Sequence, residues 1–218
     1  MRLKTIALVA FSSLSVATAV AIAAPNRAAV IERQIDAKGF TGVSLEGSMD
    51  VRIQQGDKIS VVARGSQAAL DDLEPKVDDG VLRLKQKKGS QTDRLTVTVT
   101  MPDLRSFLLA GSGDVAMNSL KADELEIKIA GSGDIAANGT CTSLTINVAG
   151  SGNIRAKDLR CDSVAIRIAG SGDVSAYASQ SFSARVMGSG DIDVYGNPKD
   201  RSKTILGGGG VTYHADAS

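Results

Sequence analysis

The stretch AGSGDV at Ala110–Val115 returns as AGSGDI at Ala130–Ile135, AGSGNI at Ala149–Ile154, AGSGDV at Ala169–Val174 and MGSGDI at Met187–Ile192. Between the first glycines of these copies (Gly111, Gly131, Gly150, Gly170 and Gly188) the steps are 20, 19, 20 and 18 residues. A degenerate copy, LGGGGV, follows at Leu206–Val211, and a weak one, EGSMDV, stands at Glu46–Val51. Near-identical copies at near-constant spacing mark a repeat architecture. Ahead of the copies the residues alternate: Leu125, Ile127 and Ile129 are separated by Glu126 and Lys128, and Leu144, Ile146 and Val148 by Thr145 and Asn147. Val164, Ile166 and Ile168 do the same around Ala165 and Arg167. Period two is the period of a strand with one buried face. The apolar residue returns after each motif, at Val115, Ile135, Ile154, Val174 and Ile192. Each repeat therefore reads as strand, glycine-rich corner, short strand and polar loop.

A unit of 19–20 residues cannot bury its own apolar row. Stacked on its neighbours it can, and strand paired to equivalent strand one repeat along gives a parallel β-solenoid. The fold class expected is all-β, one domain, with rungs of this length. The corner glycines suit a sharp bend between stacked strands, where only glycine is cheap. They are Gly111 and Gly113, Gly131 and Gly133, Gly150 and Gly152, Gly170 and Gly172, and Gly188 and Gly190.

The first half is less regular. Val43–Ile53 and Lys58–Ala63 read as strands joined near Gln55-Gly56-Asp57, and Ser66–Leu73 as a short helix with Ser66 at its N-cap. Asp78-Asp79-Gly80 is a turn signal before a strand at Val81–Lys85, Lys85–Arg94 a polar loop, and Leu95–Thr100 a strand ended by Pro102. The 64 residues from Gly47 to Gly111 amount to about three repeats. This half reads as irregular rungs that continue the solenoid and cap its N-terminal end.

Arg2 and Lys4, the apolar run Thr5–Ala23 and the A-x-A of Ala21 and Ala23 form the layout of a secretory signal cleaved after Ala23. The organisation expected is a signal at 1–23, a linker at 24–34, the solenoid domain at 35–213 and a tail at 214–218. No other apolar stretch approaches membrane-spanning length. Removing the signal takes away two basic residues and no acid, turning a formal net charge of +1 into −1. A chain so balanced lacks the basic excess that nucleic-acid binding requires. The single histidine, His214, is the fifth residue from the C-terminus, which argues against a histidine triad or a multi-histidine metal site. Cys141 and Cys161 each lie nine residues before a corner glycine, Gly150 and Gly170. Stacking puts their Cα atoms about 5 Å apart, within disulfide range. A rung-to-rung disulfide is the expectation and two free thiols the alternative.

The FTGVSLEGSMDVRI segment at Phe40–Ile53, VTVTMPDLRSFLLAGSGDV at Val97–Val115 and the serial GSGD rungs together resemble the auto-transporter adhesin head domain called the GIN domain. The likeness covers roughly Ile35 to Tyr213. It implies an exported bacterial protein with a β-solenoid-like fold and brings no catalytic residues to transfer. An autotransporter carries a membrane β-barrel, and no such segment is evident here, so a periplasmic location is expected ahead of the cell surface.

Three outward rows are candidate sites. Asp114, Asp134, Asn153, Asp173 and Asp191 share one position and form a ladder about 4.8 Å apart. One reading of the four aspartates is Ca²⁺ bridging; the other is hydrogen bonding to nearby backbone N–H groups. Ser112, Ser132, Ser151, Ser171 and Ser189 form a second row, with no recurring base to activate a nucleophile. Lys128, Asn147, Arg167 and Arg185 stand three residues before the corners as a partly basic stripe. The stripe suits an acidic glycan or a protein partner, or it simply keeps the face solvated. The function expected is a non-catalytic envelope binding module without a required cofactor. The rivals are an envelope scaffold acting through an end of the solenoid and a polysaccharide-active β-helix enzyme.

Overall fold

The structure is a computed structural model that describes residues 30–87 and 94–215. The signal segment expected at 1–23 lies outside these residues, as do most of the linker, most of the polar loop before Arg94 and the end of the tail.

The chain opens with β1 (Ile31–Ile35), β2 (Gly42–Gly47), β3 (Asp50–Gln55) and β4 (Ser60–Gly65). A short helix, α1 (Gln67–Asp71), follows, then β5 (Leu73–Asp78), β6 (Val81–Gln86), β7 (Thr96–Met101) and β8 (Ser106–Gly111). The long strands are β9 (Val115–Gly131), β10 (Ile135–Gly150), β11 (Ile154–Gly170) and β12 (Val174–Gly188). The last elements are β13 (Ile192–Tyr195), β14 (Asp200–Gly207) and β15 (Val211–Tyr213). All the strands belong to one sheet, 71% of the described residues are strand, and the sheet winds into a parallel β-solenoid of about five turns.

The alternation expected for the repeats is what packs the interior. Ile127, Ile146, Ile166 and Ala184 stand in paired register, and so do Ile129, Val148, Ile168 and Val186. All eight are buried. Full burial of one such aliphatic contributes about 1.5–3 kcal/mol, and each rung repeats the contribution. The stretch expected as a polar loop is instead part of the ladder. Asn138, Gly139 and Thr140 pair with Asp158, Leu159 and Arg160, with a register shift beside them. Leu120 and Leu159 are buried within it, so this side is a bulged second corner. Its polar sequence reflects a bend with few inward positions.

Each glycine corner is held by the rung before it. The Gly131 carbonyl accepts the Ser151 N–H at 3.0 Å, and the Gly150 carbonyl accepts the Ser171 N–H at 2.9 Å. This brings backbone onto backbone. A Cβ on Gly172 would lie 2.1 Å from the Gly152 carbonyl oxygen, and one on Gly170, which sits at φ +149°, would lie 2.1 Å from that of Gly150.

The first half does not fill three rungs in series. Gly47 lies directly beside Gly111 in register, with Val43 on Phe107 and Leu45 on Leu109. The intervening chain runs behind this rung: β6 and β7 pair in parallel with the opposite edges of β2 and β3. Antiparallel strands then close the end, β5 on β6, β4 on β7 and β1 on β4. β1 begins inside the span expected as linker. Ser66 caps α1 as expected, its hydroxyl accepting the Ala69 N–H at 3.2 Å. Only Leu73 of β5 falls within the span expected as helix, and the rest of this strand carries no strand signal of its own. Pro75 is tolerated in it because β5 is an edge strand, and Asp79 and Gly80 supply the two positive φ angles of a tight hairpin.

At the other end the core register is taken over by charge. Arg201 pairs with Phe182 and Lys203 with Ala184, and both cations lie over the Tyr213 ring, 4.4 and 5.8 Å from its centroid. His214, expected in the tail, donates its N–H to the Val194 carbonyl, stacks on Tyr195 at 4.6 Å and places Nε2 2.6 Å from Asp193 Oδ1. Charged residues at inward positions of an edge strand discourage another strand from adding there.

Cys141 and Cys161 are paired residues of β10 and β11 and are joined by a disulfide, with Cα atoms 4.5 Å apart. The bridge spans 20 residues. Its removal by Cys141→Ala/Cys161→Ala lowers the unfolding free energy by about 3 kcal/mol, read from urea unfolding.

Gly172→Ala forces a methyl into a carbonyl and costs about 2 kcal/mol or more. Gly208→Ala, whose Cβ would meet only Ser189 Oγ at 3.8 Å, stays within about 0.5 kcal/mol. Thermal melts of the two variants check the pair, and an equal loss from both would refute the close-approach account.

Candidate functional site

At Asp134, Asn153, Asp173 and Asp191 the residue after the corner glycine pair serves the next rung, whereas no such bond is seen from the Asp114 carboxylate among the described residues. Asp134 Oδ1 accepts the backbone N–H of Asn153 at 3.1 Å and its side-chain amide at 3.0 Å. Asn153 Oδ1 accepts the Asp173 N–H at 3.0 Å, Asp173 Oδ1 the Asp191 N–H at 2.8 Å, and Asp191 Oδ1 the Gly210 N–H at 2.7 Å. At the start of the series Asp50 Oδ1 faces the Asp114 N–H at 3.4 Å. One oxygen of each acceptor is thus aimed at the rung above, and the other Asp134 oxygen meets Arg155 at 3.0 Å. Asn153 fits because an amide oxygen accepts as a carboxylate does. Among the described residues no three His, Cys, Asp or Glu side chains are grouped to hold a metal ion. The serines Ser112, Ser132, Ser151, Ser171 and Ser189 are exposed at the same corners.

The outer face of the long strands carries three columns in register. The first runs Glu126, Thr145, Ala165, Ser183 and Ser202. The second is the expected stripe, Lys128, Asn147, Arg167 and Arg185, ending in Thr204. The third is Ala130, Ala149, Ala169, Met187 and Leu206. The stripe is electrostatically divided. Lys128 is bound to Glu126 at 2.9 Å, and the Asn147 amide donates to the same carboxylate at 3.3 Å. Arg167 and Arg185 are exposed, adjacent, and have no ionic or hydrogen-bonding partner among the described residues. Like charges directly opposite on paired strands are unfavourable, and no carboxylate among the described residues offsets this pair.

Two shallow grooves flank the arginines. One, about 290 Å³, has Ala149 and Ala169 along it and Met187 at its end. The other, about 260 Å³, is lined by Ser183, Ser202 and Thr204. Met187 is 50% exposed and Leu206 63%. These two apolar residues were missed in the sequence. Their signal was the first letter of the motif, which is alanine in the regular copies and changes to Met187 and Leu206 at the end. A larger groove, about 890 Å³, lies at the N-terminal end of the same face among Asp103, Arg105, Lys121, Asp123 and Glu124. Asp103, hydrogen-bonded to Arg105 at 2.7 Å, raises that guanidinium's pKa, and Asp123 and Glu124 add to the effect. The acids of this groove are thereby partly neutralised from within.

These features define a class: a parallel β-solenoid with serial GSGD corners, whose outer face is free to carry chemistry. The chain belongs to the family described as "Putative auto-transporter adhesin, head GIN domain", whose model matches residues 39–198. No curated protein matches it. It is similar in structure to a "putative adhesin" from Bacteroides fragilis, with a TM-score of 0.72 at 24% identity, over 85% of this chain and 97% of that one. A "putative lipid binding protein" from Parabacteroides distasonis has a TM-score of 0.56 at 24% identity, over 85% and 96% of the two chains. A "putative adhesin" from the same organism has a TM-score of 0.57 at 20% identity, over 86% and 98%. At these identities the likeness is one of fold.

Asp134→Ala removes the acceptor of the Asn153 amides and costs about 1–2 kcal/mol. Asp134→Asn keeps an acceptor there and loses only the exposed Arg155 pair, a change below about 1 kcal/mol. Urea unfolding of both variants distinguishes them, and equal losses would mean that the ladder acts through charge.

Proposed function

We propose that the chain is an exported, non-catalytic binding module of the bacterial envelope that works through the outer face of its long strands and takes an acidic ligand, a glycan or a protein surface. The observation that carries this reading is the adjacent Arg167 and Arg185 pair, exposed on a flat sheet face without partners among the described residues. Several further observations agree with it. The basic start, apolar run and A-x-A of residues 2–23 have the form of an export signal. A disulfide between rungs fits an oxidising compartment. No helix among the described residues is long and apolar enough to cross a membrane. The inward Arg201 and Lys203 of the last rung argue against a scaffold that grows by strand addition at that end.

The module reading favours many weak contacts spread along the rungs over one deep pocket, as repeat proteins with flat surfaces allow. Its first test is retention of residues 24–218 on a matrix of polygalacturonate at low salt. A chain of net charge −1 is retained there only through a local cluster of cations. Retention is expected, and its loss on Lys128→Gln/Arg167→Gln/Arg185→Gln ties it to the stripe. Retention that survives the triple change would move the working surface elsewhere, and release of new reducing ends from the matrix would make the chain an enzyme.

A further inference from the structure

We infer that Arg167, Arg185, Met187 and Leu206 form one site for an anionic amphiphile, a single acyl chain ending in a carboxylate. The inference rests on the reading of this face as an anion-binding surface and names the class of anion. Three observations meet here. The two guanidiniums occupy paired positions on neighbouring rungs, about 4.8 Å apart along the sheet, without carboxylate partners among the described residues. Elsewhere on the surface Arg33, Arg64, Arg105 and Arg155 each hold a carboxylate. A fork of planar donors from two adjacent arginines matches the two oxygens of one carboxylate.

The second observation is the apolar column beside them. Met187 and Leu206 are paired across the last two rungs and are half or more exposed, next to a trough that Ala149 and Ala169 keep shallow. Large apolar residues grouped on an outer face mark contact sites. The third is the asymmetry across the arginines. On the opposite flank stand Ala165, Ser183 and Ser202, with Thr204 following Arg185 in its own column and Lys203 also lining the groove, so this side offers hydroxyls and no large exposed apolar side chain. An anionic head is therefore held at the arginines with hydroxyls behind it, and the chain leaves along the alanine, methionine and leucine side. A purely polar glycan would leave Met187 and Leu206 uncovered, and a neutral hydrocarbon would leave the two charges opposed.

The test is calorimetric titration of residues 24–218, disulfide intact, with dodecanoate below its self-association limit. Butyrate and dodecyl maltoside serve as probes of the head and the tail alone. Dodecanoate is expected to bind at least about tenfold more tightly than either. Arg167→Gln/Arg185→Gln and Met187→Ser/Leu206→Ser are each expected to weaken it by about tenfold or more. All four side chains point outward, so neither variant melts below the wild type, and the arginine variant, relieved of its opposed charges, melts at or slightly above it.

The inference is overturned if dodecyl maltoside binds as well as dodecanoate, or if the arginine variant keeps wild-type affinity. It is also overturned if the chain binds phosphatidylglycerol vesicles but not dodecanoate. Failure here with polygalacturonate retention intact removes the acyl-chain specificity and leaves the anion-binding face standing. Loss of both results removes the reading of the face itself.

Discussion

Everything in this molecule depends on how closely one rung's corner can approach the next. Strand ladders hold rungs at about 4.8 Å, and at the corners the chain turns without losing that spacing. A carbonyl of one rung then lies where the Cβ of the next would be, as the 2.1 Å distance from the Gly172 Cβ position to the Gly152 oxygen shows. Glycine satisfies the contact, and the flat, in-register faces on either side follow from it. Were the corners to open by even a methyl group, the long strands would splay and their apolar columns would lose contact.

The motif has a direction, and the two end copies show it. Its glycines answer to the rung below, while its aspartate serves the rung above. The last copy keeps Gly207 and Gly209, whose Cβ positions lie 2.1 and 2.2 Å from carbonyls of the preceding rung. It has Gly210 where the aspartate would stand, and no further rung follows among the described residues to receive that oxygen. The first copy shows the reverse. Asp50 is kept for Asp114, but the second glycine is Met49, buried at the end of the core. Among the described residues no glycine carbonyl lies beneath this corner. Gln86 takes that place, its Oε1 accepting the Ser48 N–H at 2.9 Å. What looks like decay of a repeat is the loss of whichever half of the motif has no neighbour to act on.

The same logic explains what could be read in the sequence. Five regular copies and period-two alternation made the solenoid legible, because each rung's requirements are repeated by its neighbours. The cysteines were legible as a stacked pair for that reason. The first half was not, because its order in space departs from its order along the chain: β6 and β7 pass behind β2 and β3. No local signal reports such an exchange. β5 was hidden by Pro75, which only an edge position permits, and the bulged second corner by its polar residues. The candidate site was half legible. The stripe could be read from spacing, but its division into a neutralised end at Lys128 and a free end at Arg167 and Arg185 depends on Glu126 lying within reach.

The inner columns are committed to packing and the corners to rung-to-rung contact, so substitutions in either are costly. The outer columns of the long strands have no such duty. Along them the residues change from rung to rung: Lys128, Asn147, Arg167, Arg185 and Thr204 in one, and Ala130, Ala149, Ala169, Met187 and Leu206 in the next. The fold tolerates any of these because none touches the core. A repeat that is nearly invariant inside and at its corners, yet graded in charge and apolarity along one outer face, separates the demands of stability from the chemistry of that face. Two arginines and two exposed apolar side chains converge at the end of that gradient, where the scaffold's own requirements are weakest.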